Sequence, residues 1–186
     1  LEGFLSPLIK SRSSLEIDSA SLAMFICGGF IVFFMLIDDF IGIRASIRLV
    51  FQALIAYLFI LMCDESIINL GNLVGFGDIE LKYMYSIIFT IFCVVGLMNA
   101  FNMIDGLNGI CASFALIPLL ILMFFGTVKY GLLIPIGALI GFLTYNLGWF
   151  GKKRGVFLGD SGSNLLGFIV AVLCIDSSQS YQAINP

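Results

Sequence analysis

The chain has 186 residues, of which 60% are hydrophobic and only 11% charged, and Phe alone occurs 19 times. A soluble domain carries roughly 45–50% apolar and about 25% charged residues, so an ordinary water-soluble globule is excluded. A net charge of -3 leaves no basic surface to displace the counterions of a nucleic acid, and the absence of His removes imidazole as base or metal ligand.

Residues 1–18 mix Glu2, Lys10, Arg12, Glu16 and Asp18 without a sustained apolar run, which is not the pattern of a signal peptide. Six stretches then follow that are long and apolar enough to cross a hydrocarbon layer, which takes about 20 helical residues: 19–37, 45–63, 83–104, 106–128, 130–151 and 155–175. No stretch alternates polar and apolar residues as a membrane barrel strand does. The expected fold is therefore all-α, a polytopic transmembrane bundle of about six spanning helices. Leu1 is not an initiator Met and the polar tail ends at Pro186. The chain is expected to be an interior piece of a longer membrane protein, forming a single integral membrane domain over 1–186. Residues 1–18 and 176–186 are expected to lie outside the cytoplasm, with 19–175 as the core. Cys27, Cys63, Cys93, Cys111 and Cys174 are scattered along the apolar spans without a C-x-x-C pair, which suits small buried hydrophobes rather than a disulfide framework.

Counting crossings puts the polar residues on sides. If the first span ends on one face, Asp38 and Asp39 lie there; the third span returns to it and delivers Asp105; the fifth returns again to Lys152, Lys153 and Arg154, with Asp160 just beyond. Four aspartates from three separate turns thus meet on one membrane face. An Asp within a membrane span costs about 2.5–3.5 kcal/mol on insertion scales and usually serves a function. Gathered carboxylates repel unless a cation sits among them, and oxygen donors without His or Cys suit Mg²⁺, or Mn²⁺, rather than zinc. The same face carries Arg44 and Arg48 with the Lys152–Lys153–Arg154 cluster, the densest group of cations, which points to the cytoplasm and to either anionic lipid or a phosphate-bearing substrate.

The third turn, 99–106 (NAFNMIDG), places Asn99 and Asn102 three apart on one helix face. Their amides are candidates for cation ligation, sugar binding or contacts between helices. Gly106 and Gly109 allow a tight backbone approach to an anion. The run 159–163 (GDSGS) opens a helix whose N-terminus favours a phosphate.

Taken together, Asp38-Asp39 with Gln52 downstream, the run 99–106 and the run 156–163 (VFLGDSGS) resemble the polyprenyl-phosphate N-acetylhexosamine-1-phosphate transferases, glycosyltransferase family 4. The resemblance spans about 21–174, and NAFNMIDG is nearer the N-acetylglucosaminyl branch than the N-acetylmuramoyl-pentapeptide branch. It implies an inner-membrane enzyme with its site on the cytoplasmic face. That enzyme moves N-acetylhexosamine 1-phosphate from a UDP-N-acetylhexosamine to undecaprenyl phosphate with Mg²⁺, releasing UMP for cell-envelope glycan synthesis, and a homodimer is the assembly considered. Carried over by motif, Asp38, Asp39 and Asp105 take catalytic roles and Asn102 and Asp160 hold the metal. Arg48, Asn99, Asn108, Lys152, Lys153 and Arg154 are the residues expected to contact substrate. Three departures from the family pattern stand out: Asn108 replaces a second aspartate, Gly42 replaces an acidic residue three places beyond the aspartate pair, and the family's His-containing loop is expected beyond the C-terminus of this piece. The rival readings are a transporter or ion channel with carboxylates near the bilayer centre, and a catalytically impaired scaffold of the same fold.

Overall fold

The computed structural model describes residues 19–72, 75, 77–106, 109–124, 132–149 and 156–184. They form six helices: α1 (Ser19–Ile41), α2 (Ala45–Cys63), α3 (Tyr83–Ile104), α4 (Ile110–Phe124), α5 (Leu133–Asn146) and α6 (Gly159–Ile184). The expected all-α membrane bundle is what the described residues build. Helices satisfy every backbone group within the segment, which is what a lipid environment demands of an apolar chain. α1, α2, α3 and α6 are each long and apolar enough to cross a membrane.

The two remaining helices are described over shorter stretches, 15 residues for α4 and 14 for α5; parts of the expected spans 106–128 and 130–151 lie outside the described residues. At the start of α4, Gly109 adopts φ +76° and its carbonyl accepts the Ser113 amide, so the helix opens at Ile110 rather than at 106. α1 and α6 depart in the other direction. α1 continues to Ile41, which places Asp38 and Asp39 inside its last turn rather than beyond it. α6 continues to Ile184 because nothing between Ile175 and Ile184 breaks a helix, and Gln179 ties this extension down: its Oε1 accepts the amides of Ile68 and Asn69 at 3.1 and 3.4 Å.

Short connections fix the neighbours. Gly42, at φ +69°, ends α1 with its amide on the Asp38 carbonyl at 2.7 Å, a left-handed helix cap that a residue with a Cβ adopts at a cost. This gives a local reason for glycine at the position where the family pattern has an acid. Only 42–44 separate α1 from α2, so the two run antiparallel side by side. The longer α2–α3 connection folds back on itself through an antiparallel bridge between Asn69 and Glu80. The Ser66–Ser86 hydroxyl bond, 2.7 Å, and the Ile67 amide on Thr90 Oγ1, 2.8 Å, hold it against α3.

α6 is the central helix and the most buried of the four long ones. One of its faces, with Phe168, Ala171, Val172 and Ile175, packs against Cys27, Ile31 and Met35 of α1, Ile55 and Phe59 of α2, and Val94 and Met98 of α3. Another, with Leu166, Val170 and Leu173, packs against Ala112, Ala115 and Leu119 of α4 and Ile136 and Leu139 of α5. Small residues permit the closest approach: a Cβ on Gly167 would stand 2.6 Å from the Met98 Cα, so α3 and α6 touch backbone to backbone. The outward faces carry exposed Phe25, Phe33, Val50, Leu54, Phe92 and Ile117, the surface expected where lipid replaces water. None of the five cysteines forms a disulfide; Cys27 and Cys111 are buried, as small apolar residues are.

Candidate active site

One end of the bundle collects the last turns of α1 and α3 and the first turns of α2 and α6. Asp38 from α1 and Asp160 from α6 meet there through a third side chain. Arg48, in the first turn of α2, places Nη1 3.2 Å from Asp38 Oδ2 and 3.2 Å from Asp160 Oδ2. The three side chains differ in exposure, at 5% for Asp38, 26% for Arg48 and 42% for Asp160. Asp38 is therefore a buried carboxylate. Its other oxygen, Oδ1, accepts the Ile43 amide at 2.6 Å, so both of its oxygens are satisfied. Its neighbour Asp39 points outward, and Oδ2 accepts the Ser161 hydroxyl at 3.4 Å. The aspartate pair thus splits its contacts between Arg48 on α2 and the first turn of α6.

Asp105 caps the end of α3, its amide on the Phe101 carbonyl at 3.1 Å. Its carboxyl lies near the start of α6, where the Gly159 amide and the Asp160 charge act on it, and near Cys111, whose thiol donates to the Phe101 carbonyl at 3.6 Å. Burial pushes its pKa above the ordinary carboxylate range and the Asp160 charge adds to this, while the Gly159 amide and the Cys111 thiol pull the other way. One turn back on α3, Asn102 Oδ1 accepts the Ser163 hydroxyl at 2.8 Å; that hydroxyl lies 3.0 and 3.2 Å from the Gly159 and Asp160 carbonyls. Gly162 is confined here by Leu158, whose side chain would stand 2.6 Å from an added Cβ.

Beneath this surface runs a chain of amides. Asn99 Nδ2 donates to Gln52 Oε1 at 2.7 Å and to the Val95 carbonyl at 2.8 Å. Gln52 Nε2 donates to Asn164 Oδ1 at 2.6 Å, and Asn164 Nδ2 donates to the Asp160 carbonyl at 2.8 Å. Gln52 and Asn164 are each 1% exposed. Sequence reasoning did not single out Asn164 and quoted Gln52 only as part of a motif. The available signal was spacing: Gln52 follows Arg48, and Asn164 follows Asp160, by four residues, one helical turn on the same face.

The structure thus brings together Asp38, Asp39, Asp105, Asp160, Arg48, Asn99 and Asn102. Asn108, Lys152, Lys153 and Arg154 lie outside the described residues. Among the described residues no group of three or more His, Cys, Asp or Glu side chains stands close enough to enclose a metal ion. The donors present are instead the half-exposed Asp160 carboxylate and the Asn102 carbonyl oxygen. That set fits Mg²⁺, which takes one or two carboxylates from a protein and fills its remaining positions with water and phosphate oxygens. The first-turn amides of α6 face the same end and favour an anion.

Comparison with known proteins places the chain among relatives. The family model of glycosyl transferase family 4 matches residues 21–178. The undecaprenyl-phosphate alpha-N-acetylglucosaminyl 1-phosphate transferase of Escherichia coli (strain K12) is 33% identical over 160 residues, covering 82% of this chain and 43% of that protein. The protein of the same name from Yersinia pestis is 31% identical over 168 residues, covering 86% and 46% respectively. A phospho-N-acetylmuramoyl-pentapeptide-transferase from Streptococcus agalactiae serotype Ia is 31% identical over 147 residues, 74% of this chain and 40% of that protein. The chain spans less than half the length of each of these relatives. With a match that runs through all six helices and every described residue of the site, the chain belongs to glycosyl transferase family 4.

Proposed function

We propose that the complete protein transfers an N-acetylhexosamine 1-phosphate, N-acetylglucosamine 1-phosphate foremost, from a UDP-sugar to undecaprenyl phosphate and releases UMP. The reaction takes place at the cytoplasmic face of a bacterial inner membrane. The observation that carries this reading is the gathering of Asp38, Asp39, Asp105 and Asp160 with Arg48 at one end of a membrane bundle. The printed names of the relatives support it, since one group acts on undecaprenyl phosphate with N-acetylglucosaminyl 1-phosphate and the other transfers phospho-N-acetylmuramoyl-pentapeptide.

An acceptor phosphate oxygen attacks the phosphorus that bears the sugar, the bond from that phosphorus to the bridging oxygen breaks, and UMP leaves with the electron pair. Phosphoryl transfer asks for positioning and charge neutralisation more than for covalent help. A phosphate monoester has a second pKa of about 6, so the acceptor is mostly dianionic at neutral pH and needs little from a general base. Asp39 and Asp105 orient the acceptor and take any residual proton. Arg48, planar and always charged, offers its remaining N–H groups to phosphate oxygens. Asp160 and Asn102 would hold a Mg²⁺ ion, which when bound supplies positive charge against the donor's pyrophosphate. Asn108, Lys152, Lys153 and Arg154 are proposed to complete the phosphate contacts. Carboxylates at helix ends, rather than at the bilayer centre, suit a soluble nucleotide-sugar meeting a lipid whose chain stays in the membrane.

The test is an assay of the full-length protein with UDP-N-acetylglucosamine, undecaprenyl phosphate and Mg²⁺. UMP release matched by transfer of labelled sugar into the lipid fraction is expected. Release that does not depend on undecaprenyl phosphate, or no release, would overturn the reading.

A further inference from the structure

Two polar rungs join α2 to α6. The outer one is Arg48–Asp160 at 3.2 Å; the inner one, a turn deeper on both helices, is Gln52–Asn164 at 2.6 Å. The edge-to-face contact of Phe59 and Phe168, centroids 5.8 Å apart, continues the same line into the core. These levels hold the two helices in different ways. Apolar contacts permit some rotation of one helix against another, because dispersion has little directionality. A pair of buried amides does not, because a slip leaves polar groups unpaired in apolar surroundings.

The donors in the inner rung run in one direction: Asn99 to Gln52, Gln52 to Asn164, and Asn164 to the Asp160 carbonyl. The chain therefore ends on the backbone of the residue whose carboxylate lies in the site. Asn99 has both Nδ2 hydrogens committed, to Gln52 and to Val95, which anchors the far end on α3. We propose that Gln52 and Asn164 are positioning residues for the transfer reaction: their amide bond, braced by Asn99, sets the rotation of α2 against α6 and so holds Arg48 against Asp160. This inference rests on the transferase reading above and adds to it residues that touch neither substrate.

The experiment uses the full-length protein in detergent, with Asn164→Leu, Gln52→Leu and the exchange variant Gln52→Asn/Asn164→Gln. Misplacing a reacting group by about 1 Å can lower turnover on the order of 100-fold. Asn164→Leu is expected to lower kcat at least about ten-fold while KM for UDP-N-acetylglucosamine stays within about three-fold, the pattern of lost transition-state positioning. The exchange variant keeps both amides and their combined length and is expected to recover most of kcat. A kcat for Asn164→Leu within about two-fold of wild type, or an exchange variant no better than Asn164→Leu, overturns the proposal. A second measurement needs no turnover. The fall in thermal midpoint caused by Arg48→Ala is expected to be smaller in the Asn164→Leu background than in wild type, because the outer rung is already displaced there. Equal falls in the two backgrounds also overturn the proposal. A wild-type protein that releases no UMP refutes the transferase reading instead, and the coupling of the two rungs is still decided by the second measurement.

Discussion

Replacing Arg48 by Ala tests how the carboxylates of the site are held. The perturbation strands two charges of different character. Asp160 is 42% exposed, so water can replace the guanidinium and its share is that of a surface pair, about 0–1 kcal/mol. Asp38 is 5% exposed and loses the guanidinium on Oδ2. Breaking a buried pair by removing one partner typically costs about 3–5 kcal/mol. Here the Ile43 amide stays on Oδ1 at 2.6 Å and Arg48 itself is partly exposed, so the loss falls below that range, at about 2–3 kcal/mol. Nearly all of it should come from Asp38. A second change therefore discriminates: Asp38→Asn added to Arg48→Ala removes the stranded charge, keeps a carbonyl acceptor for Ile43, and is expected to regain about 1–2 kcal/mol. Reversible unfolding of the full-length protein in mixed micelles measures both values. A cost below about 0.5 kcal/mol for Arg48→Ala, or no recovery in the double variant, would show that Asp38 does not depend on Arg48 for its charge.

Three further outcomes follow from the geometry. Gly167→Val places branched carbon where the Met98 backbone stands 2.6 Å away and is expected to cost at least about 1–3 kcal/mol as an overpacked core, read by the same unfolding assay; an unchanged midpoint would mean that α3 and α6 are not in backbone contact. Asp160→Asn is expected to abolish turnover and to remove the protection from heat that millimolar Mg²⁺ is expected to give the wild-type protein, a ligand bound at 100 times its Kd being worth about 2.7 kcal/mol; a variant protected as well as the wild type would take Asp160 out of the metal's reach. Asp105, raised chiefly by burial, must lose its proton to act, so activity should fall as pH drops through its raised pKa. In stability the sign is opposite: the native protein holds this proton more tightly than the unfolded chain, so stability declines as pH rises from the ordinary carboxylate range through the raised value.

The architecture and the gathering of carboxylates were legible because both follow from the hydrocarbon thickness. A run of about 20 apolar residues has one favourable conformation in lipid, and the parity of crossings then assigns each intervening carboxylate to a face. Parity does not depend on where a helix ends, which is why Asp38 could be assigned to the right end of the bundle although its helix runs four residues further than the pattern indicated. Helix boundaries within apolar sequence are a different matter. Gly109 and the polar but unbroken stretch after Ile175 are governed by backbone dihedral preference and by the hydrogen bonds of Gln179 to the Ile68 and Asn69 backbone, neither of which alters the hydropathy pattern. The inner amide rung was hidden for a related reason. Gln52 and Asn164 lie 112 residues apart, and an isolated amide in a membrane helix announces a partner without naming it.

The helix dipoles give this end of the bundle its chemical character. Asp38 and Asp39 sit in the last turn of α1, and Asp105 caps the end of α3, positions where the partial negative charge of the helix opposes a carboxylate by about 0.3–1 kcal/mol each. Only Asp160 stands at a helix N-terminus, where the dipole supports it. The fold therefore places three carboxylates against the local field, while the Arg48 guanidinium is already shared between Asp38 and Asp160. Water screens the exposed Asp39 and the partly exposed Asp160, but it does so poorly for the buried Asp38; for the partly buried Asp105, desolvation and then the Asp160 charge raise the proton affinity. Any further positive charge brought to this surface is stabilised by a field that already exists, without reorganisation at the moment of binding. The site is thus better suited to receive a cation, or a cation together with a phosphate, than to remain with its own charges alone, and the buried amides beneath it keep that field from relaxing.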